Sequence, residues 1–445
     1  MFDDICAIST PYGVGAISIV RCSGPNSIKL VNNIFKGKDL TKAKAYTINY
    51  GHIVDKDEVI DEVLCNIYHN PNSFDGEDMV EINCHGGIFV TNKVLELLLK
   101  SGFRMAERGE FSKRAFLNGK IDITQAEAIM DIISSDNDIS LKASNDSLRK
   151  STKNLITSFR EKILDLIAKI EVNIDYPEYD DIVEVTNDYL KPIISDMLKD
   201  MEEIIRNSLI STIAIHGINT VIIGKPNVGK SSLLNLLLNE DKAIVSDVAG
   251  TTRDIVEGKI NIGNITLNLL DTAGIHDAEG IEAIGVNKSI EALNKADLVL
   301  LVLDSSRDLD DDDYKLLEET KNKKRIVIAN KKDLNKKWSN DEAIYMSTFD
   351  ENDIKLLEEK ILEITRINEF SSFNGKYLNN IRQKDLLFKA SLALKEANKA
   401  IEDNVGIELI EINLKESFNY LGEITGESNP EELLNALFSK FCLGK

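Results

Sequence analysis

The stretch Gly224-Lys225-Pro226-Asn227-Val228-Gly229-Lys230-Ser231 constrains the fold more than any other part of the chain. It has the form Gly-x-x-x-x-Gly-Lys-Ser, between an apolar run, Thr220 to Ile223, and an amphipathic one, Ser232 to Leu238. A strand that enters a glycine turn and opens a helix is the context in which this pattern binds phosphate. The glycines let backbone N–H groups turn inward, and the helix N-terminus adds its positive dipole. Lys230 is expected to reach the β- and γ-phosphates and the Ser231 hydroxyl to ligate Mg²⁺. Asn227, Val228, Gly229, Lys230, Ser231 and Ser232 form the expected nucleotide contacts here.

Three further elements specify the nucleotide. Asp271-Thr272-Ala273-Gly274 follows an apolar strand, Ile265 to Leu270, and places an acid near Mg²⁺ and a glycine N–H near the γ-phosphate. Asn330-Lys331-Lys332-Asp333 follows the strand Arg325 to Ala329. A carboxylate there accepts both N–H donors of the Watson–Crick edge of guanine, a pair that adenine lacks. Upstream of the Asp-x-x-Gly element, Ser246-Asp247-Val248-Ala249-Gly250-Thr251-Thr252 supplies a switch threonine, with Thr252 expected on Mg²⁺. Singly, these are a turn glycine, a surface loop and a capping threonine. In this order and context they predict a GTP site, with Ser347 in the guanine-capping loop.

The expected mechanism departs from Ras-like enzymes, which orient water with a glutamine after the Asp-x-x-Gly element. Here that position is Ile275, which cannot hydrogen-bond water. Asp277, Glu279 and Glu282 follow as candidate acids, and Asn227 offers an extra amide oxygen beside the phosphates. This set resembles the TrmE–Era class of GTPases. The resemblance implies a K⁺ ion held by Asn227 and bordered by Ser246, Val248 and Thr251, partly through backbone carbonyls. It also implies that Glu282 positions water, giving Lys230, Thr251 and Glu282 as catalytic residues. Without the resemblance Glu282 reads as a solvated helix acid. Ser347-Thr348-Phe349 stands where the class has Ser-Ala-Lys, a departure that bears on guanine affinity.

Outside the GTP site the chain changes character twice. A length of 445 residues fits about three domains at roughly 100–200 residues each. Short β-rich runs (16–20, 59–67, 80–82) and a helix from Gly87 to Lys100 make the N-terminal part α+β. From Asp122 the apolar period becomes helical, with Thr124 and Glu127 at capping-box spacing. Helices are expected to about Lys150, over Ser151–Val172 and over Asn187–Ser211, and again from Leu378 to the end, where Asn429-Pro430 reads as N-cap and first helical residue. The acidic stretch Asp308 to Asp313 reads as a solvated loop. The expected architecture is multidomain: an α+β N-terminal domain (1–119), an all-α helical domain in two pieces (120–215 and 367–445), and an α/β P-loop GTPase domain with a mostly parallel sheet (216–366) inserted into it.

Composition narrows the setting. Hydrophobic content of 43% with 29% charged residues is that of a soluble globular protein. No run of about 18 apolar residues appears, so no integral membrane contact is expected. The acidic start Met1-Phe2-Asp3-Asp4 is unlike a secretory signal, and five scattered cysteines without a Cys-x-x-Cys pair fit a reducing cytoplasm. A net charge of −21 is unlike that of a protein that grips nucleic acid alone, which shows a basic face. If the chain works on RNA, a partner is expected to supply basic surface; the alternative, which charge alone favours, is that acidity only keeps the protein soluble.

The flanks carry a more specific likeness. Ala7-Ile8-Ser9-Thr10-Pro11-Tyr12-Gly13, Glu81-Ile82-Asn83-Cys84-His85-Gly86-Gly87, Gly109-Glu110-Phe111-Ser112-Lys113-Arg114-Ala115-Phe116 and the terminal Phe441-Cys442-Leu443-Gly444-Lys445 resemble the MnmE (TrmE) family of tRNA-modification GTPases. The likeness spans the whole chain, including the inserted arrangement. It implies an N-terminal domain that forms a homodimer and binds 5-formyl- or 5,10-methylene-tetrahydrofolate, with Arg21, Glu81, Lys120 and Lys445 lining the pocket. A folate offers a carboxylate tail suited to Arg or Lys and a pterin edge suited to a carboxylate. It implies a flavoprotein partner, MnmG (GidA), in a heterotetramer, and installation of an aminomethyl-type group at C5 of the wobble uridine of certain tRNAs. Cys442 is then a candidate functional thiol, against the bland alternative of a small buried hydrophobe in a terminal helix. His85 beside two glycines reads as a turn residue rather than an acid–base catalyst. An Era- or Der-like ribosome-assembly switch without a folate site is the runner-up, weakened by the lack of a KH-like Gly-x-x-Gly loop after the GTPase part. A membrane-linked ion-transport GTPase is a third reading, weakened by the lack of a spanning segment.

Overall fold

A computed structural model describes residues 3–135, 137–175, 185–239, 256–262, 265–270, 293–367, 376–427 and 431–444. The chain divides into two compact units, Met1–Met130 with Gly422–Lys445, and Asp131–Leu421.

The first unit is built on a seven-stranded sheet. Its strands are β1 (Ile5–Ile8), β2 (Ile17–Ser23), β3 (Phe35–Gly37), β4 (Thr47–Asp55), β5 (Glu58–Tyr68), β6 (Met79–His85) and β7 (Arg104–Met105), in the order β3-β4-β5-β6-β2-β1-β7. All neighbours are antiparallel except β1 and β7. Side chains alternate across a strand, so Val63, Cys65 and Ile67 of β5 and Val80, Ile82 and Cys84 of β6 share one face. That face is covered by α1 (Ser27–Asn33) and α2 (Ile88–Lys100), whose Val31, Val94 and Leu98 are fully buried in the same cluster. The opposite face carries Ile17, Ile48, Tyr50 and Leu64, all exposed, together with Arg21 and Glu81.

Next come α3 (Glu110–Leu117) and α4 (Ile123–Ile133). The cap of α4 is Asp122 rather than Thr124: its Oδ1 accepts from Gln125 N–H at 3.0 Å, and Gln125 Oε1 accepts from Asp122 N–H at 3.2 Å. The box is thus shifted two residues from the expected Thr124–Glu127 pair, because aspartate caps at least as well as threonine. The C-terminal residues belong to this unit, and their Leu434, Phe438 and Phe441 pack with Ile123 and Ala126.

The stretch expected to be helical to about Lys150 holds two helices. The chain breaks after α4 and restarts as α5 (Asp138–Leu148), because Asn137 forms a reciprocal cap with Ser140. Then follow α6 (Ser151–Asp175) and α7 (Asn187–His216), the latter capped by Thr186 and longer than the expected run to Ser211. It stops at Gly217, whose φ of 77° suits glycine. Beyond it β8 (Ile218–Ile223), β9 (Val256–Ile262), β10 (Ile265–Leu270), β11 (Leu298–Asp304), β12 (Arg325–Asn330) and β13 (Ala343–Tyr345) form a six-stranded sheet in the order β13-β12-β11-β8-β10-β9. Only β9 and β10 pair antiparallel, so the sheet is mostly parallel, as expected. All seven residues of β11 are buried, as a strand covered on both faces requires.

The helices on this sheet are α8 (Lys230–Asn239), α9 (Asp311–Glu319) and α10 (Glu351–Thr365), and α11 (Ile381–Glu402) packs along α7. The acidic stretch expected as a solvated loop is the start of α9. Asp310 caps it, and buried Asp313 completes the box and pairs with Arg307 at 2.6 Å. Acids near a helix N-terminus are stabilised by its dipole. The last helices are α12 (Ile407–Thr425) and α13 (Glu431–Phe438). The expected cap at Asn429-Pro430 lies outside the described residues.

Candidate functional site

The phosphate loop joins β8 to α8 through backbone shapes that few residues adopt. Gly224 has φ 155°, and a Cβ there would lie 2.3 Å from the Val302 carbonyl. Asn227 is left-handed at φ 65°, a conformation asparagine tolerates better than most residues. Gly229 has φ 101°, and a Cβ there would fall 2.1 Å from Asn330 Nδ2. Lys230 opens α8, and its Nζ donates to the carbonyls of Gly224 and Lys225 at 2.8 Å each. Burial holds its pKa below the ordinary lysine value. Ser231 and Ser232 are exposed on the first turn of α8. Lys225 leans away from the loop to Asp310, 2.5 Å from its carboxylate.

The residues expected to read guanine sit at the ends of β12 and β13. Asn330 is buried, and its Nδ2 donates to the Val228 carbonyl at 2.8 Å. Its buried Oδ1 has no hydrogen-bond partner among the described residues. Lys331, at φ 64°, places Nζ 2.6 Å from Asp304, the cross-strand neighbour of Asn330. Burial opposes ionisation of Asp304, but hydrogen bonds from Lys331 and Ser306 outweigh it and leave the pKa lowered. Asp333 is exposed, and its carboxylate has no hydrogen-bond partner among the described residues. Ser347 is buried, and its N–H donates to Asp353 Oδ2 at 2.8 Å.

The fold therefore gathers Asn227, Val228, Gly229, Lys230, Ser231 and Ser232 in one loop, and joins that loop directly to Asn330. Ser246, Asp247, Val248, Ala249, Gly250, Thr251, Thr252, Asp271, Thr272, Ala273, Gly274 and Glu282 lie outside the described residues.

In the first unit, Arg21 of β2 and Glu81 of β6 are direct cross-strand partners. Arg21 donates through Nε and Nη2 to Glu81 Oε1 at 3.1 and 2.9 Å, and Tyr68 OH donates to Oε2 at 3.2 Å. The guanidinium also lies 5.3 Å from the Phe74 ring and 5.6 Å from that of Phe111. Its Nη1 donates to the Gly444 carbonyl at 3.1 Å, which also accepts from Ser9 Oγ. The C-terminal tail is thereby held on the pair. Lys120 is not joined to it: Nζ donates to the Pro71 carbonyl at 2.9 Å. Lys445 lies outside the described residues. Cys442 is exposed and lies beyond the end of α13, so it is not the buried helical hydrophobe of the bland alternative. His85 ends β6 with its Nδ1 2.7 Å from Asp61. A separate cleft of about 860 Å³, lined by Arg104, Arg108, Lys113, Arg114, Leu434 and Phe438 among others, coincides with neither set of expected residues.

Comparison with known proteins agrees with both ends of this arrangement. The model of the TrmE N-terminus, described as a GTP-binding protein, matches residues 4–120, and that of the MnmE helical domain matches residues 123–442. Two proteins named tRNA modification GTPase MnmE, from Acholeplasma laidlawii and Streptococcus thermophilus, are each 47% identical to the chain. The alignments cover 100% of this chain and 100% and 99% of theirs. The chain belongs to the MnmE family of tRNA modification GTPases. Among solved structures, the G domain of the FeoB iron transporter of T. maritima is 28% identical over 33% of this chain and 98% of its own, with a TM-score of 0.26. At that score the likeness carries no weight.

Three further residues at these sites, Tyr68, Asp304 and Asp353, are not among those the sequence points to. None belongs to a spaced motif, so only contact reveals them.

Proposed function

We propose that this MnmE-family chain is a GTPase requiring Mg²⁺ and K⁺ that acts in modifying C5 of the wobble uridine of certain tRNAs. It divides on this reading into a folate-binding and dimerising part (1–119), a helical part (120–215 and 367–445) and a GTPase part (216–366). The observation that carries it is the Asn330–Val228 hydrogen bond, which joins guanine reading to phosphate binding in a chain that matches the family end to end.

At the GTP site, Lys230 and the loop amides take up phosphate charge, while Asn330 and Asp333 read the base. The exposed Ser231 hydroxyl and Asn227 amide fit hard cations, having no hydrogen-bond partner among the described residues. Ser231 and Thr252 are the proposed Mg²⁺ ligands, and Asn227, Ser246, Val248 and Thr251 the proposed K⁺ set. Cations bound there supply positive charge beside the β- and γ-phosphates in the loose transition state. Glu282 positions the attacking water.

In the first unit, Arg21 and Glu81 suit the carboxylate tail and pterin edge of a tetrahydrofolate, and Phe74 and Phe111 offer ring faces beside them. Lys120 and Lys445 complete the proposed pocket, which takes the 5-formyl or 5,10-methylene form as one-carbon source. Cys442, three residues before Lys445 in a tail that touches Arg21 through Gly444, is a candidate thiol there. The exposed Ile17, Ile48, Tyr50 and Leu64 support a homodimer through this domain. The flavoprotein MnmG and tRNA are the other proposed partners, in the cytoplasm. No helix among the described residues is long and apolar enough to cross a membrane.

Mass spectrometry of tRNA nucleosides from a strain lacking this protein tests the proposal. Loss of the C5-aminomethyl type of wobble uridine is expected, and an unchanged nucleoside profile would overturn it.

A further inference from the structure

The guanine-capping loop reveals a positioning device outside the expected motifs. Its amides are almost all occupied within the protein. Met346 N–H donates to the Ala329 carbonyl at 3.1 Å, Ser347 N–H to Asp353 Oδ2 at 2.8 Å, Phe349 N–H to Ser347 Oγ at 3.4 Å, and Asp350 N–H to the Ser347 carbonyl at 3.0 Å. Thr348 N–H alone among these five has no partner within the described residues.

The group that orders the loop is Asp353, in the first turn of α10 and 2% exposed. One of its carboxylate oxygens accepts from Ser347 N–H, and the other is ion-paired with Lys332 Nζ. Lys332 is the third residue of Asn330-Lys331-Lys332-Asp333, so a single buried carboxylate ties the base-reading loop to the capping loop. Lys332 also donates its backbone N–H to the Met346 carbonyl at 3.2 Å, a second tie between the same loops. A charge-assisted bond to a backbone N–H is stronger and more directional than a neutral one. Asp353 is far better shielded than Lys332, whose side chain is 36% exposed, so the carboxylate is the fixed member of the pair.

We propose that Asp353, with Lys332, is a positioning and specificity-determining pair: it fixes the Ser347 peptide so that the Thr348 N–H points at the six-oxygen of guanine. The Phe349 side chain is 89% exposed, so the order of the loop is carried by Asp353 and the backbone bonds. The proposal rests on the guanine-reading role assigned above to Asn330, Asp333 and Ser347.

Equilibrium binding of GDP and of 6-thio-GDP to the full chain separates this role from general damage. Sulfur accepts hydrogen bonds poorly, so the wild-type protein is expected to prefer GDP. Asp353→Ala should weaken GDP by about tenfold and 6-thio-GDP much less, so that the two affinities converge. Asp353→Asn, which retains an acceptor oxygen, should keep most of the preference. Lys332→Met, at a half-exposed position, should show the same convergence at about threefold and decides the matter if Asp353→Ala does not fold. Equal losses for both nucleotides, or no loss for either, would overturn the proposal. A wild-type protein that does not prefer GDP to ADP would instead defeat the guanine-reading assignment itself; a selective wild type with unaltered variants removes only the role of Asp353.

Discussion

Asn330 Nδ2 donates to the carbonyl of Val228 at 2.8 Å, and this bond ties the base-reading end of β12 to the middle of the phosphate loop. The approach exists because residue 229 is glycine: a Cβ there would lie 2.1 Å from the same nitrogen. The end of β12 and the loop before α8 are therefore mechanically joined, which makes the proposed base-reading and phosphate sites one unit.

Asn330→Ala removes the donor and leaves a buried carbonyl unsatisfied, at a cost of about 1–3 kcal/mol. Fluorescent-nucleotide titration should show GDP affinity falling about tenfold or more, with a lower melting temperature. Gly229→Ala breaks the same contact from the other side and should behave alike. Full affinity in either variant would show that the contact does not hold the loop.

GTP hydrolysis should be much faster in KCl than in NaCl at equal ionic strength, and Asn227→Ala should erase the difference. Asn227 is left-handed, so alanine also carries about 1 kcal/mol of backbone strain. Asn227→Gly, which is free of that strain, must therefore lose the potassium effect too. Equal wild-type rates in the two salts exclude the cation mechanism.

Glu282→Ala should lower kcat while leaving GTP affinity nearly unchanged, the pattern of an interaction made in the transition state. A large loss of affinity instead would assign Glu282 a structural role.

Arg21→Ala removes the fork that holds Glu81 and the Gly444 carbonyl. Calorimetry with 5-formyl-tetrahydrofolate should show binding weakened by about tenfold or more. Arg21→Lys should restore only part of it, because a lysine cannot make the bidentate contact. An unaltered Kd would remove Arg21 from the pocket.

The hydrogen bond that His85 Nδ1–H donates to Asp61, together with the charge of that carboxylate, raises the pKa of His85 above the ordinary imidazole value of 6.5. The contribution of this pair to the folded state is complete below about pH 6.5 and is lost as pH rises through the raised pKa. An NMR titration should place His85 above the free imidazole value, and Asp61→Asn should bring it back. A His85 titration unaffected by Asp61→Asn would contradict the pairing.

The elements legible in the sequence were those with a strong period or a spaced motif. The strand, glycine turn and helix around Lys230 lie where the spacing put them, as does the helix after Gly87. Boundaries set by competing caps were not legible. Asp122 captured the start of α4 from Thr124, and the Asn137–Ser140 pair cut one helical run into two, because several polar residues in a row each satisfy the capping pattern. The acids from Asp308 to Asp313 looked solvated because a charge run gives no sign of its partners; Arg307 and the start of α9 supply them.

The sequence alone determined the nucleotide and the family. The motifs proposed to read phosphate and guanine are short and contiguous, and their local backbone geometry follows from glycine, asparagine and the strand–helix order. What only the tertiary structure decided was which distant side chains meet: Asn330 with Val228, Asp353 with Ser347 and Lys332, and Arg21 with Glu81 and Gly444. Arg21 and Glu81 are 60 residues apart and Arg21 and Gly444 423 apart, brought together by strand pairing and by the docking of the C-terminal residues. Hydrophobic periodicity specifies which face of an element is buried, but not which element lies against it. The contacts that join the loops into a site therefore become visible only once the sheets are assembled.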